Sequence, residues 1–335
     1  MPINNSIETL LAGFRPDAAP PRIEPTAEGV QRPLFSVMIP TYNCAKYLRK
    51  TLESILDQDP GEKLMEIIVV DDCSTKDDPQ QIVEKFGRGR VIFSQNETNT
   101  GCCTLNFNVC LRKSTGQWIH VLHGDDYVLP GFYRKIMDMM EQYPHAALLA
   151  TRCVFVDERD CWLRLGPIID GVDSLLRDSS AFHYNTPLQF AGLVVRRSFY
   201  EATGGFREDL IHTADLEMWE RAVSEGGGVV SPEVRAAYRL FEQNDTGQLM
   251  RMAGNIKDRL RLTEIFASRI PGFDRSAAYK NLINLARSQH AKFLSRGDGE
   301  AVKANEEILK SLGCRPSWRR KILRSLKRVA LPPGR

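Results

Sequence analysis

Glu66-Ile67-Ile68-Val69-Val70-Asp71-Asp72 is an apolar run that stops on two adjacent carboxylates, and Trp118-Ile119-His120-Val121-Leu122-His123-Gly124-Asp125-Asp126 repeats the pattern downstream. Short apolar runs of this kind read as buried strands. Adjacent acids at a strand end place like charges side by side, which is unfavourable unless a cation, hydroxyls or backbone amides meet them. In an open α/β sheet, ligands bind outside the carboxyl ends of the strands. Two doublets at two such ends therefore read as one site, suited to a polar ligand and a hard metal ion. Each doublet alone also reads as a helix cap or the opening of a turn, since Asp is favoured at both.

Outward from these runs, the chain alternates strand and helix. Phe35-Ser36-Val37-Met38-Ile39 is a β-rich run stopped by Pro40, and Leu48, Leu52, Ile55 and Leu56 recur at helical spacing behind it. A helix through Ile82, Val83 and Phe86, closed by Gly87, follows the first doublet, and Arg90 to Ser94 is a third strand. Further helices are expected from Cys102 to Lys113 and from Pro130 to Tyr143, and strands from Ala146 to Val156, Leu188 to Val195 and Val234 to Leu240. Such alternation implies crossover connections and a largely parallel sheet. The expected organisation is an N-terminal arm over 1–33, an α/β domain over 34–245, a helical region over 246–314 and a basic tail over 315–335.

The chain has 335 residues, 42% of them hydrophobic and 26% charged, which is ordinary globular composition. No stretch approaches the roughly 18 consecutive apolar residues of a membrane span, and the polar start lacks a basic region followed by an apolar core. The eight cysteines form no C-x-x-C pair and none pairs with a histidine at zinc-site spacing, so buried free thiols are expected rather than structural zinc. These features predict a cytoplasmic protein. Within the net charge of +3, residues 315–335 carry eight Arg and Lys and no acid, with Trp318, Ile322, Leu323, Leu326 and Val329 between them. That amphipathic pattern suits either the headgroup layer of the inner face of a membrane or a terminal helix packed on its own domain. No aromatic stacking platform accompanies it, which argues against nucleic acid.

At the end of the first strand, Pro40 fixes the backbone and Tyr42 offers a ring face to a nucleobase, although an aromatic there also covers a core edge. Asp72 is placed to accept from the imide of uracil or from a ribose hydroxyl. Asp126 is the better metal candidate, where Mn²⁺ or Mg²⁺ would sit between carboxylate and diphosphate.

Phe35-Ser36-Val37-Met38-Ile39-Pro40-Thr41-Tyr42-Asn43, Ile67 to Thr75, Asn99-Thr100-Gly101, Thr115-Gly116-Gln117-Trp118-Ile119 and His123-Gly124-Asp125-Asp126 occur in the order and spacing of a known family. Residues 34–245 resemble the inverting family-2 glycosyltransferases with the GT-A fold. The resemblance implies a three-layer α/β/α sandwich with a mostly parallel central sheet, to which the C-terminal helices are an extension. It implies that Pro40, Tyr42 and Asp72 hold the base, that Asn99 and Asp125 contact the sugar nucleotide, a UDP-sugar being favoured, and that Asp126 binds the metal. Thr203-Gly204-Gly205-Phe206 is similar to the family's acceptor-side segment, where Gly204 and Gly205 would let the backbone approach a substrate; the residues alone also read as a turn. Asp215, at the start of a helix, matches the family's general base, with Glu217 and Glu220 as neighbouring rivals. The acceptor implied is a saccharide or a lipid-linked saccharide.

Three positions depart from the family pattern. His123 stands where an acid often opens the metal motif, Asn106-Phe107-Asn108 where many members carry Ala-Arg-Asn, and Phe241 where many carry histidine. The departures keep open a catalytically impaired nucleotide-sugar-binding protein. Nucleotidyl transfer is the other alternative, but Thr41-Tyr42-Asn43-Cys44 lacks the glycine-rich basic loop that a triphosphate needs.

Overall fold

A computed structural model describes residues 5–27, 29, 31–176, 178–241 and 245–314. The tail over 315–335, expected to be amphipathic, lies outside the described residues. The chain divides into two units, Ala18–Glu242 and a second one in which 5–17 join the C-terminal helices.

After a short helix α1 (Asn5–Leu10), the elements run β1 (Phe35–Thr41), α2 (Ala45–Leu56), β2 (Met65–Asp71), α3 (Pro79–Phe86), β3 (Val91–Gln95), α4 (Cys103–Lys113), β4 (Trp118–Val121), β5 (Tyr127–Val128) and α5 (Phe132–Gln142). They continue with β6 (Leu148–Val156), β7 (Trp162–Leu165), β8 (Ser174–Leu176), β9 (Leu193–Arg196), α6 (Arg197–Thr203), α7 (Ala214–Gly226) and β10 (Gly228–Arg239). One sheet takes the order β3-β2-β1-β4-β9-β6-β10-β5, with β7 on β6 and β8 on β10. Its long ladders, β1 with β2 and β6 with β10, are parallel, as are β1 with β4 and β2 with β3. Between the two parallel groups β9 runs antiparallel to both β4 and β6. The irregular region 157–185 contributes the short antiparallel edge pieces β7 and β8.

Both sheet faces are covered. Phe35, Val37 and Ile39 of β1 join Leu48, Leu52 and Ile55 of α2 and Phe132, Tyr133 and Ile136 of α5 in one apolar cluster. Helices α4, α6 and α7 lie against the sheet through a chain of aromatic contacts from Phe107 and Phe206 to Phe190, Tyr200 and Trp219. Local chemistry fixes the helix starts near the site. Asp78 caps α3 by accepting from the Gln81 amide at 3.0 Å, with Pro79 in the first turn. The start of α2 is met by Asp77, whose carboxylate accepts from the Ala45 amide at 2.8 Å.

The segment read as an arm is built into this unit from Ala18 onward. Ile23 is fully buried, and Arg32 donates to the carbonyls of Thr115 and Gly116 at 2.8 Å each. In the other unit, α8 (Asp245–Arg251), α9 (Gly254–Arg269), α10 (Arg275–Ser295) and α11 (Gly299–Ser311) follow. Ile256, Leu260, Leu282, Ile308 and Leu309 bury together with Ile7, around an Asn255–Gln289–Asn305 amide network.

Candidate active site

The ends of β1, β2 and β4 meet, as the parallel register requires. The Asp72 amide donates to the Thr41 carbonyl at 2.9 Å, and the Gly124 amide donates to the Pro40 carbonyl at 3.2 Å. A Cβ on Gly124 would fall 2.7 Å from Thr41 Cγ2 and 2.8 Å from Cys44 Sγ, so only glycine lets the second doublet's loop approach the end of β1 this closely. Asn43, at φ 53°, accepts from the amides of Thr75 and Lys76 and so ties the β1 loop to the β2 loop. Pro40 is buried and Tyr42 is 47% exposed, so a ring face is open at this edge.

The two acidic doublets reach opposite electrostatic solutions. Asp71 is buried and accepts from the hydroxyls of Thr41 and Ser74, the Ser74 amide and Gln95. Asp72 accepts from Asn96 Nδ2 at 2.8 Å, the Thr100 amide at 2.9 Å and the Thr100 hydroxyl at 2.7 Å. Three donors leave a carboxylate one further acceptor direction, which is what a base or ribose would use. Asn99 is spent on the loop: its amide nitrogen donates to the Asp72 carbonyl at 2.7 Å, and its oxygen accepts from the Gly101 amide at 2.9 Å.

The second doublet is not satisfied internally. Asp126 is 1% exposed; its Oδ1 accepts from the Arg239 amide at 2.8 Å, while Oδ2 has no hydrogen-bond partner among the described residues. Burial first, and the neighbouring Asp125 second, push its carboxyl well above the ordinary carboxylate range. His123 Nε2 is likewise buried without a partner, and burial holds that imidazole down at about 4, hence neutral. One ligand atom from each of His123, Asp125 and Asp126 lies within 4.8 Å of the others. Two orphaned buried polar atoms beside a second carboxylate fit a divalent cation, which would relieve both at once.

Arg239 braces this cluster, a role that its place in a β-run did not signal. Its Nε donates to the Asp125 carbonyl at 2.8 Å, its Nη1 to the Asp157 carbonyl at 2.9 Å and its Nη2 to Asp160 at 2.6 Å, with the guanidinium 4.6 Å from the centre of the Tyr47 ring. The three departures from the family pattern also find places. Phe107 stacks on His123, and Phe190 packs against the same imidazole at 4.6 Å. Phe241 lies against Tyr47 with centroids 5.3 Å apart.

Asp215 stands in the first turn of α7, half-buried, its Oδ1 accepting from the Leu216 amide at 2.7 Å. One turn on, Trp219 packs on Phe190 at 5.0 Å, and Phe190 packs on His123, so a chain of rings ties the Asp215 helix to the acidic cluster. Its rivals are engaged elsewhere. Glu217 is buried against Arg221 at 3.1 Å, and Glu220 accepts from Ser179 at 2.8 Å inside the fold.

Gly204 and Gly205, expected to let the backbone approach a substrate, also lie close to other parts of the chain. A Cβ on Gly204, which has φ 91°, would meet Pro20 at 2.9 Å and the Pro21 carbonyl at 3.0 Å, and one on Gly205 would fall 2.5 Å from Asn108 Oδ1. Arg221 holds the turn from behind, donating to the carbonyls of Thr203, Gly204 and Gly205. The close approach is to Pro20 and Pro21 at Gly204 and to Asn108 and Ile23 at Gly205.

A mixed, mostly parallel sheet with the acidic cluster at its carboxyl edge is the GT-A architecture. The sequence profile of glycosyl transferase family 2 matches residues 36–204, and the chain belongs to that family. An uncharacterized protein of Mycobacterium tuberculosis is 30% identical over 243 residues, covering 69% of this chain and 75% of that one. The poly(ribitol-phosphate) β-N-acetylglucosaminyltransferase TarS of Staphylococcus aureus is 42% identical over 95 residues, which are 28% of this chain and 16% of TarS. The crystal structure of TarS 1–349 with UDP-GlcNAc superposes with a TM-score of 0.54 at 21% identity, covering 84% of this chain and 92% of that one. The mannosyltransferase PcManGT of Pyrobaculum calidifontis, in complex with GDP-Man and Mn²⁺, superposes with a TM-score of 0.51 at 19% identity, over 98% of this chain and 86% of that one. Asp215 lies beyond the segment that the family profile matches.

Proposed function

We propose that this glycosyltransferase moves a sugar, with inversion, from a nucleoside-diphosphate sugar to an acceptor hydroxyl in glycan synthesis. The observation that carries the reading is the buried, unpartnered Asp126 Oδ2 beside His123 and Asp125 at the carboxyl ends of the strands. Pro40, Tyr42 and Asp72 hold the base, Asn99 supports Asp72 through its carbonyl, and Asp125 meets the sugar nucleotide. Asp126 would hold a Mn²⁺ or Mg²⁺ ion, which would supply charge neutralisation at the departing diphosphate. The UDP-GlcNAc and GDP-Man in the related structures support this donor class, with a UDP-sugar favoured.

In the reaction the acceptor oxygen forms its bond to the anomeric carbon as the bond from that carbon to the diphosphate oxygen breaks. The nucleoside diphosphate leaves with the electron pair, and the hydroxyl proton passes to Asp215. Asp215 is the base rather than Glu217 or Glu220 because those two are committed to Arg221 and Ser179. Asp215→Asn should lower transfer by about 10²- to 10⁴-fold while the thermal shift produced by UDP with Mn²⁺ stays unchanged. Normal transfer by that variant would overturn the assignment. Mn²⁺-dependent release of nucleoside diphosphate separates the enzyme from a sugar-nucleotide-binding protein without catalysis.

The chemistry falls to the α/β domain, with 246–314 as a helical extension and 315–335 as a basic segment that brings the protein to anionic lipid at the cytoplasmic face, next to a lipid-linked acceptor. Eight free cysteines support a reducing compartment. No helix among the described residues is long and apolar enough to cross a membrane. Truncation after Gly313 should abolish recovery with anionic vesicles in a flotation assay.

A further inference from the structure

We infer that His123 is a nitrogen ligand to the divalent ion at this site, giving a mixed imidazole and carboxylate set that ranks Co²⁺ and Mn²⁺ above Mg²⁺. The inference rests on the metal reading of Asp126 and deepens it.

First, His123, Asp125 and Asp126 each offer a donor atom within 4.8 Å of the others, and no hydrogen bond among the described residues joins His123 Nε2 or Asp126 Oδ2 to anything. Donor atoms around one ion at ligand distances of about 2.1 Å stand about 3–4 Å apart, so atoms already within 4.8 Å of one another need only small movements to share a cation. Secondly, the imidazole is fixed in place. Phe107 stacks on it with ring planes 18° apart, and Phe190 packs against it at a centroid distance of 4.6 Å. A ring held between two aromatic side chains loses little freedom when it binds an ion, which is the preorganisation a metal ligand needs. Thirdly, the remaining donors are carboxylate oxygens, one of them on the buried Asp126 whose other oxygen already accepts from the Arg239 amide. An oxygen-only set suits Mg²⁺, whereas one imidazole moves preference along the series from Mn²⁺ towards Co²⁺.

The test is pulsed electron paramagnetic resonance on the full-length protein loaded with Mn²⁺, alone and with UDP or GDP, with and without ¹⁵N-labelled histidine. The expected result is a modulation from directly coordinated nitrogen that changes with the label. Dissociation constants for Mg²⁺, Mn²⁺ and Co²⁺ complete it. In His123→Phe, which keeps an aromatic ring between Phe107 and Phe190, the preference for Co²⁺ over Mg²⁺ should shrink at least about tenfold, since even outer-shell partners of a metal are worth about 10–100-fold in affinity. Binding of Mn²⁺ that Asp126→Asn removes, without any histidine-nitrogen modulation, would overturn this inference and leave the metal reading standing. Failure to retain Mn²⁺ under any of these conditions would overturn both. The spectrum of the unaltered protein decides the matter even if His123→Phe does not fold.

Discussion

Phe107 lies on His123 nearly face to face, with centroids 5.1 Å apart and planes 18° apart, so two of the positions at which this chain departs from its family touch each other. Phe107 also meets Phe190 at 4.8 Å and Phe206 at 5.5 Å and is buried. Truncation would open a cavity between α4 and the acidic cluster. Phe107→Ala should therefore lower unfolding free energy by about 3–5 kcal/mol in urea denaturation, and Phe107→Leu by clearly less. A change within experimental error for Phe107→Ala would show that the stack has no structural weight.

Arg221 and Glu217 form a buried ion pair one helical turn apart, and the same guanidinium holds the carbonyls of Thr203 to Gly205. Removing the cation strands a buried carboxylate. Arg221→Ala should cost about 3–5 kcal/mol, and the double variant Arg221→Met with Glu217→Gln should recover part of that loss. Thermal unfolding of the two variants side by side measures it; equal losses would mean that the stranded charge is not the cause.

Gly205 has no space for a side chain. Asn108 accepts from the Phe206 amide at 2.9 Å and donates to the Phe206 carbonyl at 2.9 Å, and an added Cβ would push Asn108 out of both bonds. Gly205→Ala should destabilise by about 1–3 kcal/mol in chemical denaturation. An unchanged midpoint would place the glycine back among residues kept for a substrate.

His120 makes acid the weak side of this fold. It is fully buried, its Nε2–H donates to the Ala191 carbonyl at 3.2 Å and its Nδ1 accepts from the Tyr133 hydroxyl at 3.1 Å, so the neutral ring is the one that fits. Burial lowers its pKa from 6.5 to about 3. The unfolded chain therefore binds the proton first, and the stability held above pH 6.5 is lost as the pH falls from there towards 3. The slope for this one group approaches about 1.4 kcal/mol per pH unit. Denaturation curves at pH 7 and 5 for the protein and for His120→Gln should show a smaller acid loss in the variant, whatever its starting stability.

The alternation of strand and helix through β4, and the placement of both doublets at strand ends, were legible because parallel strands and their crossover helices carry strong local periodicity. The helix bearing Asp215 was legible for the same reason. The insertion of β9 between β4 and β6 was not, since Leu188 to Val195 reads as a strand of either direction and only tertiary pairing chooses. Nor was the role of Arg239, because a basic residue ending a β-run carries no local mark of the four groups that it ties together. His123 was read as a missing carboxylate; its place between Phe107 and Phe190 depends on contacts between residues far apart in the chain. A glycine pair reports only that something comes close: in this fold Pro20 and Pro21 lie against Gly204, and Asn108 and Ile23 against Gly205, neighbours that no local pattern names.

The segment at Pro20 and Pro21 bears on where a working fragment can begin. Ile23 is fully buried, the Glu24 carbonyl accepts from Arg197 at 3.2 Å and the Thr26 amide donates to Glu201 at 3.3 Å, so the chain ahead of β1 acts as a strap across α6 and the glycine turn. A protein cut to start at Leu34, where the resemblance to the family begins, would lose the strap's side of each of these contacts and leave an apolar slot against Gly205 open to water. The unit that carries the acidic cluster begins at Ala18, sixteen residues before Leu34, so the strap is part of it.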